Sequence, residues 1–292
     1  MGTLPFTDTH VHFHDFSQPG LRWDWLRQVE PPDPNLGDYG AIRSRRYSAE
    51  DFIAETRFQN VTHVVHMQAA IGTDDPVAET AWLEEAHERV GIPHAIIGYA
   101  DLAAPGVGST LERHSAYRLL RGIRDLRHDE HLDDERWQAG LARLDALGLI
   151  YCGNPPVEDM GRFARLAERR PGLRVCIDHA GYPLRRDADY FRAWRAGMGA
   201  LAKLEQTVVK ISGLGMCDHR WSVASIRPWV ETCIELWGPG RAFFGTNWPV
   251  DRLFSSYGDV IEAYAEIIAE LPLRDREALF SRNANRFFGL SD

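Results

Sequence analysis

The sequence predicts an α/β fold, a TIM-type (β/α)8 barrel that takes in residues 1–292 as one unit. Eight short apolar runs alternate with helical stretches along the chain. The runs lack a polar face, as in Val-Val-His-Met, Ala-Ile-Ile-Gly-Tyr and Arg-Val-Cys-Ile, which suits parallel strands buried on both sides. Eight such units within 292 residues fit a closed barrel better than an open doubly wound sheet. No GxGxxG follows the first strand, which further disfavours a dinucleotide-binding sheet.

The elements follow in order. Residues 6–13 form a strand that leads into a long polar segment, 14–47, with Trp23, Trp25 and a breaker-rich stretch at 30–37. A loop of that length inside a compact domain is functional or holds a short helix of its own. Ser48-Ala-Glu-Asp-Phe reads as a helix start, with Ser48 as N-cap and Asp51 at the acidic N3 position. Strands are expected at 61–68, 94–101, 121–126, 149–153, 173–178, 207–212 and 242–245. Between them lie helices at 76–90, 109–117, 134–147, 158–169, 190–204 and 222–236, the first with Asp75 as cap and Pro76 at N1, the last capped by Ser222. Two helices, at about 257–270 and 274–287, close the chain.

Composition excludes several classes. Hydrophobic residues make up 44% and charged residues 26%, ordinary for a globular chain. The formal charge of −9 argues against a nucleic-acid partner, and the short arginine clusters at 43–46 and 121–127 do not offset it. No apolar run approaches the ~18 residues of a membrane span, and Met-Gly-Thr-Leu-Pro lacks a signal-like start. Four widely spaced cysteines, 152, 176, 217 and 233, with no CxxC pair, read as reduced thiols of a cytoplasmic protein. The expected partner is a small molecule, and the sequence is silent on oligomeric state.

Asp8, His10 and His12 are spaced two apart, so on a strand they project to one face while Thr9, Val11 and Phe13 face the other. Two imidazoles roughly 6–7 Å apart at Cα, at about 3.3 Å rise per residue, can converge on one metal ion or one water. In a barrel of this class the active site lies at the C-terminal strand ends. Those ends carry His66 and Gln68, Arg121 and Arg124, Tyr151 and Asn154, Asp178 and His179, Lys210 and Ser212, and Asn247 with Asp251 just beyond. Polar groups ending buried strands are costly unless used or paired. Their convergence outweighs any single motif.

At this point the chain resembles the amidohydrolase superfamily, most of all the branch with lactonases acting on sugar lactones and on pyrone or muconolactone carboxylates. The resemblance runs through Thr7-Asp-Thr-His-Val-His12, Asp75-Pro-Val-Ala-Glu-Thr-Ala-Trp-Leu83, Arg121-Gly-Ile-Arg124 and Ile177-Asp-His-Ala-Gly-Tyr-Pro183. It continues in Lys210-Ile-Ser-Gly213, Phe244-Gly-Thr-Asn-Trp-Pro-Val250 and Arg282-Asn-Ala-Asn-Arg-Phe287. It implies a distorted barrel in which His10, His12 and His179 face a substrate carbonyl, a water or one divalent metal, zinc by ligand type. Relatives of the branch also include lactonases that need no metal. The implied reaction is water attack on a lactone carbonyl, with decarboxylation or hydration of an aromatic-derived carboxylate as the alternative on the same fold.

One position departs from the family. Where the family usually carries an Asp that serves as general base, this chain has Asn247, and an amide cannot accept a proton at neutral pH. Three outcomes stay open: Asp251 takes over as base, Asn247 only orients water while another group takes the proton, or hydrolysis is lost and the barrel binds a small acid without turnover. Arg121 and Arg124 are candidate binders of a carboxylate or carbonyl oxygen, although strand alternation lets only one face the lumen. His66 with Gln68, and Tyr151, are further candidate pocket residues, His66 reading equally as a satisfied core histidine. Trp25 and Trp248 are candidate pocket walls, as is Trp23, with plain packing as the alternative. Lys210 is expected to pair with an acid.

Overall fold

A computed structural model describes residues 4–27, 35–125 and 132–291. Among the described residues ten strands form in chain order: β1 (Phe6–Val11), β2 (His14–Asp15), β3 (Arg46–Tyr47), β4 (Val61–Met67), β5 (Ala95–Tyr99), β6 (Leu120–Arg124), β7 (Ile150–Gly153), β8 (Val175–Ile177), β9 (Thr207–Ile211) and β10 (Ala242–Phe244). Eight make one parallel sheet in the order β1-β4-β5-β6-β7-β8-β9-β10, the barrel that the apolar runs predict, while β2 and β3 pair as a small antiparallel ribbon. The barrel closes just past β10. Val11 bridges Trp248, His12 N–H donates to Trp248 O at 2.7 Å, and Thr9 Oγ1 donates to Phe244 O at 2.7 Å.

Strand alternation builds two layers. Val65, Met67, Ala95, Ile97, Ile150, Cys152, Cys176, Val208 and Phe243 fill the lumen, and Ala284 and Phe288 of the last helix plug its N-terminal end. The opposite faces of the strands pack under the helices in a second, larger core.

Helices form where capping and amphipathic spacing direct them. They are α1 (Asp24–Arg27), α2 (Ala49–Thr56), α3 (Val77–Val90), α4 (Val107–Ser115), α5 (Glu135–Ala146), α6 (Met160–Glu168), α7 (Ala188–Ala202), α8 (Val223–Trp237), α9 (Tyr257–Ile267), α10 (Leu273–Glu277) and α11 (Asn283–Phe288). At α2, Ser48 and Asp51 make the expected exchange, with Ser48 N–H donating to Asp51 Oδ2 at 2.9 Å. Ser222 likewise accepts from Ser225 N–H. The expected final helix is interrupted by a π turn over Ala278–Arg282, so that α10 and α11 are separate. Among the described residues of the long 14–47 segment lie α1, the ribbon and a short 3-10 turn at Gly40–Ile42. Residues 28–34, which include the start of the breaker-rich stretch, and 126–131, which include the end of the strand expected at 121–126, lie outside the described residues. Among the described residues no helix is long and apolar enough to cross a membrane.

Candidate active site

A cavity of about 230 Å³ opens at the C-terminal end of the barrel. Its polar lining is His12, Gln68, Arg124, Asn154, His179 and Asn247, and its apolar lining includes Trp25, Leu36, Ile71, Tyr182, Met216 and Val250. The strands therefore deliver two of the three predicted histidines to the cavity wall. His10 sits in the layer beneath, fully buried, its ring 4.9 Å from that of His12 and 4.3 Å from that of His179.

Hydrogen bonding assigns the tautomers. His12 Nδ1 lies 2.9 Å from Met67 O, a pure acceptor, so Nδ1 carries the proton and Nε2 keeps its lone pair. His179 Nε2 lies 3.3 Å from Arg124 Nη2, and a guanidinium only donates, so Nδ1–H donates to Ser212 Oγ at 3.0 Å. Burial holds all three imidazoles in the neutral form, reinforced at His10 by His179 and at His12 and His179 by the Arg124 charge. His12 falls to about 3, and the other two lie well below the ordinary value.

Four successive residues in the left-handed region present His179. His179, Ala180, Gly181 and Tyr182 have φ of 53°, 52°, 68° and 53°, and for non-glycine residues that conformation costs about 1–2 kcal/mol each. Trp194 Nε1–H pins the segment by donating to Ala180 O at 2.8 Å. Gly213 completes the fit, since a Cβ there would lie 2.4 Å from His179 Nδ1. Strain of this kind turns both His179 and Tyr182 toward the cavity. Nothing in the Asp-His-Ala-Gly-Tyr-Pro run marks Tyr182 as a cavity residue.

Beneath the cavity lies a buried ion cluster. Asp178 meets Arg124 Nε at 3.2 Å through Oδ2 and Lys210 Nζ at 3.0 Å through Oδ1. Burial alone would raise the Asp178 carboxyl, but Lys210 and then Arg124 outweigh it and hold the group below its ordinary value. Two cations against one anion leave the floor electropositive. Lys210 thus pairs with an acid as its sequence context predicts.

On the eighth barrel strand's loop, Asn247 has φ 61°, which an Asn tolerates better than most residues, and it lines the cavity. Asp251 stands behind it rather than in the lining. Only 2% of its surface is exposed, its Oδ1 has no hydrogen-bond partner, and burial pushes its carboxyl well above the ordinary range, opposed by the Asn247 amide.

Several predicted site residues fall elsewhere. Asp8 is not on the wall with the histidines. The β1 register shifts between Asp8 and Val11, and Asp8 accepts from Thr246 N–H (2.9 Å), Thr246 Oγ1 (2.6 Å) and Tyr257 O–H (3.0 Å), its pKa raised by burial to about 6. His66 alternates with lumen-facing Met67, and its Nε2 accepts from Phe13 N–H at 3.0 Å as a core histidine. Gln68 lies one residue past the strand end and does reach the cavity. Arg121 belongs to the opposite end of the barrel, donating to Phe288 O at 2.7 Å. Tyr151 points outward against Trp137 and Phe163 because its neighbours Ile150 and Cys152 take the lumen. Trp248 closes the barrel and donates from Nε1 to Glu55 at 2.9 Å, and Trp23 packs on Trp82. Trp25 lines the cavity, its Nε1–H donating to Ala69 O at 2.8 Å. Leu36, Ile71, Met216 and Val250 carried no sequence signal, since apolar loop residues have no periodicity to place them.

An amidohydrolase family model matches residues 7–290. The chain belongs to the amidohydrolase family. This amidohydrolase is 34% identical over 300 residues to an uncharacterized protein of Sinorhizobium fredii, covering 99% of each chain. It is 28% identical over 313 residues to an L-fucono-1,5-lactonase of Burkholderia multivorans, covering 100% of this chain and 98% of that one. Among solved structures it resembles an amidohydrolase of Burkholderia multivorans with bound zinc, at 26% identity and a TM-score of 0.82 over 98% of this chain and 99% of that one. The chain is accordingly a hydrolase-class enzyme.

The family raises the question of a metal. Zinc favours imidazole nitrogen, and both ring nitrogens of buried His10 lack a hydrogen-bond partner, while His12 is bonded to Met67 O through Nδ1 and to the Asn247 side chain. His179 adds a third donor only by giving up its Arg124 contact. The donors fit a divalent ion, but as neutral ligands above an electropositive floor, with an amide where a carboxylate would add charge.

Proposed function

We propose that this amidohydrolase hydrolyses a small lactone, a sugar lactone before a carboxylated one. The observation that carries the reading is the pairing of neutral imidazole and guanidinium at one cavity wall: His12, His179 and Arg124 line a space of about 230 Å³ together with three carboxamides. Carboxamides suit hydroxyl groups, because each offers both a donor and an acceptor. Arg124 shares its charge with Asp178 at 3.2 Å, which weakens it as the partner of a full substrate carboxylate while its remaining N–H groups still suit one carbonyl oxygen.

In this mechanism the lactone ring lies against Trp25 and Tyr182, its carbonyl toward Arg124. A water attacks the carbonyl carbon and the charge that develops on oxygen is met by the guanidinium and the positive floor. Asp251 accepts the proton of the water from behind Asn247, which orients the nucleophile. Its raised pKa makes its carboxylate a stronger base than an exposed one. The ring C–O bond then breaks, the ring oxygen takes back the proton held by Asp251, and the acid so formed gives its own proton to solvent and leaves as carboxylate. A divalent metal, zinc by ligand type, would be held by His10, His12 and His179 and would polarise the carbonyl or acidify the water.

The test is acid release, followed with a pH indicator, over aldono-1,5- and 1,4-lactones and carboxylated lactones. Turnover of sugar lactones is the expected result. Asn247 favours one competing reading, a barrel that binds a small acid without turning it over. Thermal stabilisation by lactones with no acid released would establish that reading and overturn the proposal.

A further inference from the structure

We infer that Glu79 is a positioning residue that fixes the cavity wall formed by Ala69, Ile71 and Trp25, an inference that rests on this cavity being the substrate site. Glu79 lies in the first turn of α3 and is 3% exposed. One of its oxygens, Oε1, accepts the backbone N–H of Ala69 at 2.8 Å and of Ala70 at 2.9 Å. Two short bonds to one buried carboxyl oxygen tie consecutive amides of the loop to α3.

The same loop is held from its other side. Ala69 O accepts Trp25 Nε1–H at 2.8 Å, Ile71 O accepts Asp24 N–H at 2.9 Å, and Gly72 bridges Trp23. Gly72 has φ 99°, and a Cβ there would lie 2.0 Å from Asp24 Oδ2, so the two segments meet with no room for a side chain. The Trp25 wall is therefore hung on the 69–72 loop, and that loop is hung on Glu79. The Asp75–Leu83 sequence motif, which contributes no residue to the cavity, has its part in the site through this carboxylate.

Hydrogen exchange of the full-length protein reads the tie without reference to catalysis. In Glu79→Ala, amides of residues 68–72 should exchange at least ~tenfold faster, about 1.4 kcal/mol of lost protection, while strands β7 to β9 keep theirs. Glu79→Gln keeps an acceptor oxygen and should restore most of the protection. With a lactone that the wild type turns over, KM should rise ~tenfold in Glu79→Ala with kcat within about twofold, and return in Glu79→Gln. Unchanged exchange in 68–72, equal loosening of β7 to β9, or a Gln variant as loose as Ala would each overturn the inference. A wild type that turns over no lactone refutes the lactonase reading alone, because the exchange comparison still decides whether Glu79 holds the wall.

Discussion

Lys210 Nζ lies 3.0 Å from Asp178 Oδ1, and neither side chain is exposed to solvent. Arg124 holds the other carboxylate oxygen, so one anion serves two buried cations. Removing the anion strands both charges, whereas removing Lys210 leaves Asp178 with a partner. Asp178→Asn should therefore destabilise more than Lys210→Met. Breaking a buried pair costs about 3–5 kcal/mol, and the lysine variant should sit at the low end of that range, the aspartate variant at or above its top. Urea denaturation of the two variants checks the ranking. The reverse order would mean that Arg124 does not suffice as a partner for Asp178 once Lys210 is gone.

Asp251 is the carboxylate behind Asn247, and its assignment as proton acceptor makes a kinetic prediction. General-base removal costs about 10²–10⁴ in rate, so Asp251→Asn should lower kcat by that factor with KM little changed. The variant's fold should hold, because an amide has the shape of the carboxyl it replaces and keeps a carbonyl oxygen toward Asn247. Equal turnover in the variant would remove Asp251 from the mechanism and return the role to a group on the cavity wall.

Much of this was legible in the chain. The lack of a polar face in the apolar runs is a property of doubly buried strands, and all eight barrel strands lie where those runs are. The placement of His12, Gln68, Arg124, His179 and Asn247 on one cavity follows from strand ends meeting at one mouth of a barrel. What the sequence concealed was direction at the last residue or two of each strand. Alternation sets Asp8 with the histidines and leaves His66 open between pocket and core; the β1 register shift takes Asp8 off the wall, and the lumen-facing Met67 makes His66 the core histidine. Arg121 and Arg124, three apart, end at opposite ends of the barrel. The left-handed run at His179 to Tyr182 has a single glycine, and nothing in composition announces four such residues in succession.

Asn247 separates the site from one with a charged ligand at this strand end. Its replacement by Asp would set a carboxylate on the cavity beside His12, opposing the charge of Arg124 and adding an anionic oxygen for zinc. Asn247→Asp should tighten zinc binding by about tenfold or more, each tenfold being ~1.4 kcal/mol. Competition with a chromophoric chelator measures this directly, whatever the activity of either form. Zinc affinity equal to that of the wild type would mean that the ion, if bound, is held away from position 247.

Glu79 makes stability depend on pH in a direction opposite to a salt-bridged carboxylate. Burial raises its pKa from 4.5 to about 7, partly offset by the N–H groups of Ala69 and Ala70. Between those two values the folded chain holds a proton at Glu79 that the unfolded chain has released, so stability falls as pH rises. The contribution is fully present below pH 4.5 and lost by the time pH passes 7. At 1.36 kcal/mol per unit of separation it amounts to roughly 3 kcal/mol. Asp8, raised from 3.8 to about 6, acts in the same sense at lower pH. Carboxylates held low by arginine act in the other sense, so the absolute curve mixes the two. A Glu79→Gln variant isolates the term, since its amide does not titrate and every other group is shared. Urea denaturation of both proteins between pH 4.5 and 7.5 should show the wild type losing roughly 3 kcal/mol relative to the variant across that window. Parallel curves would mean that Glu79 is ionised throughout, and that its two backbone bonds outweigh the cost of burying the charge.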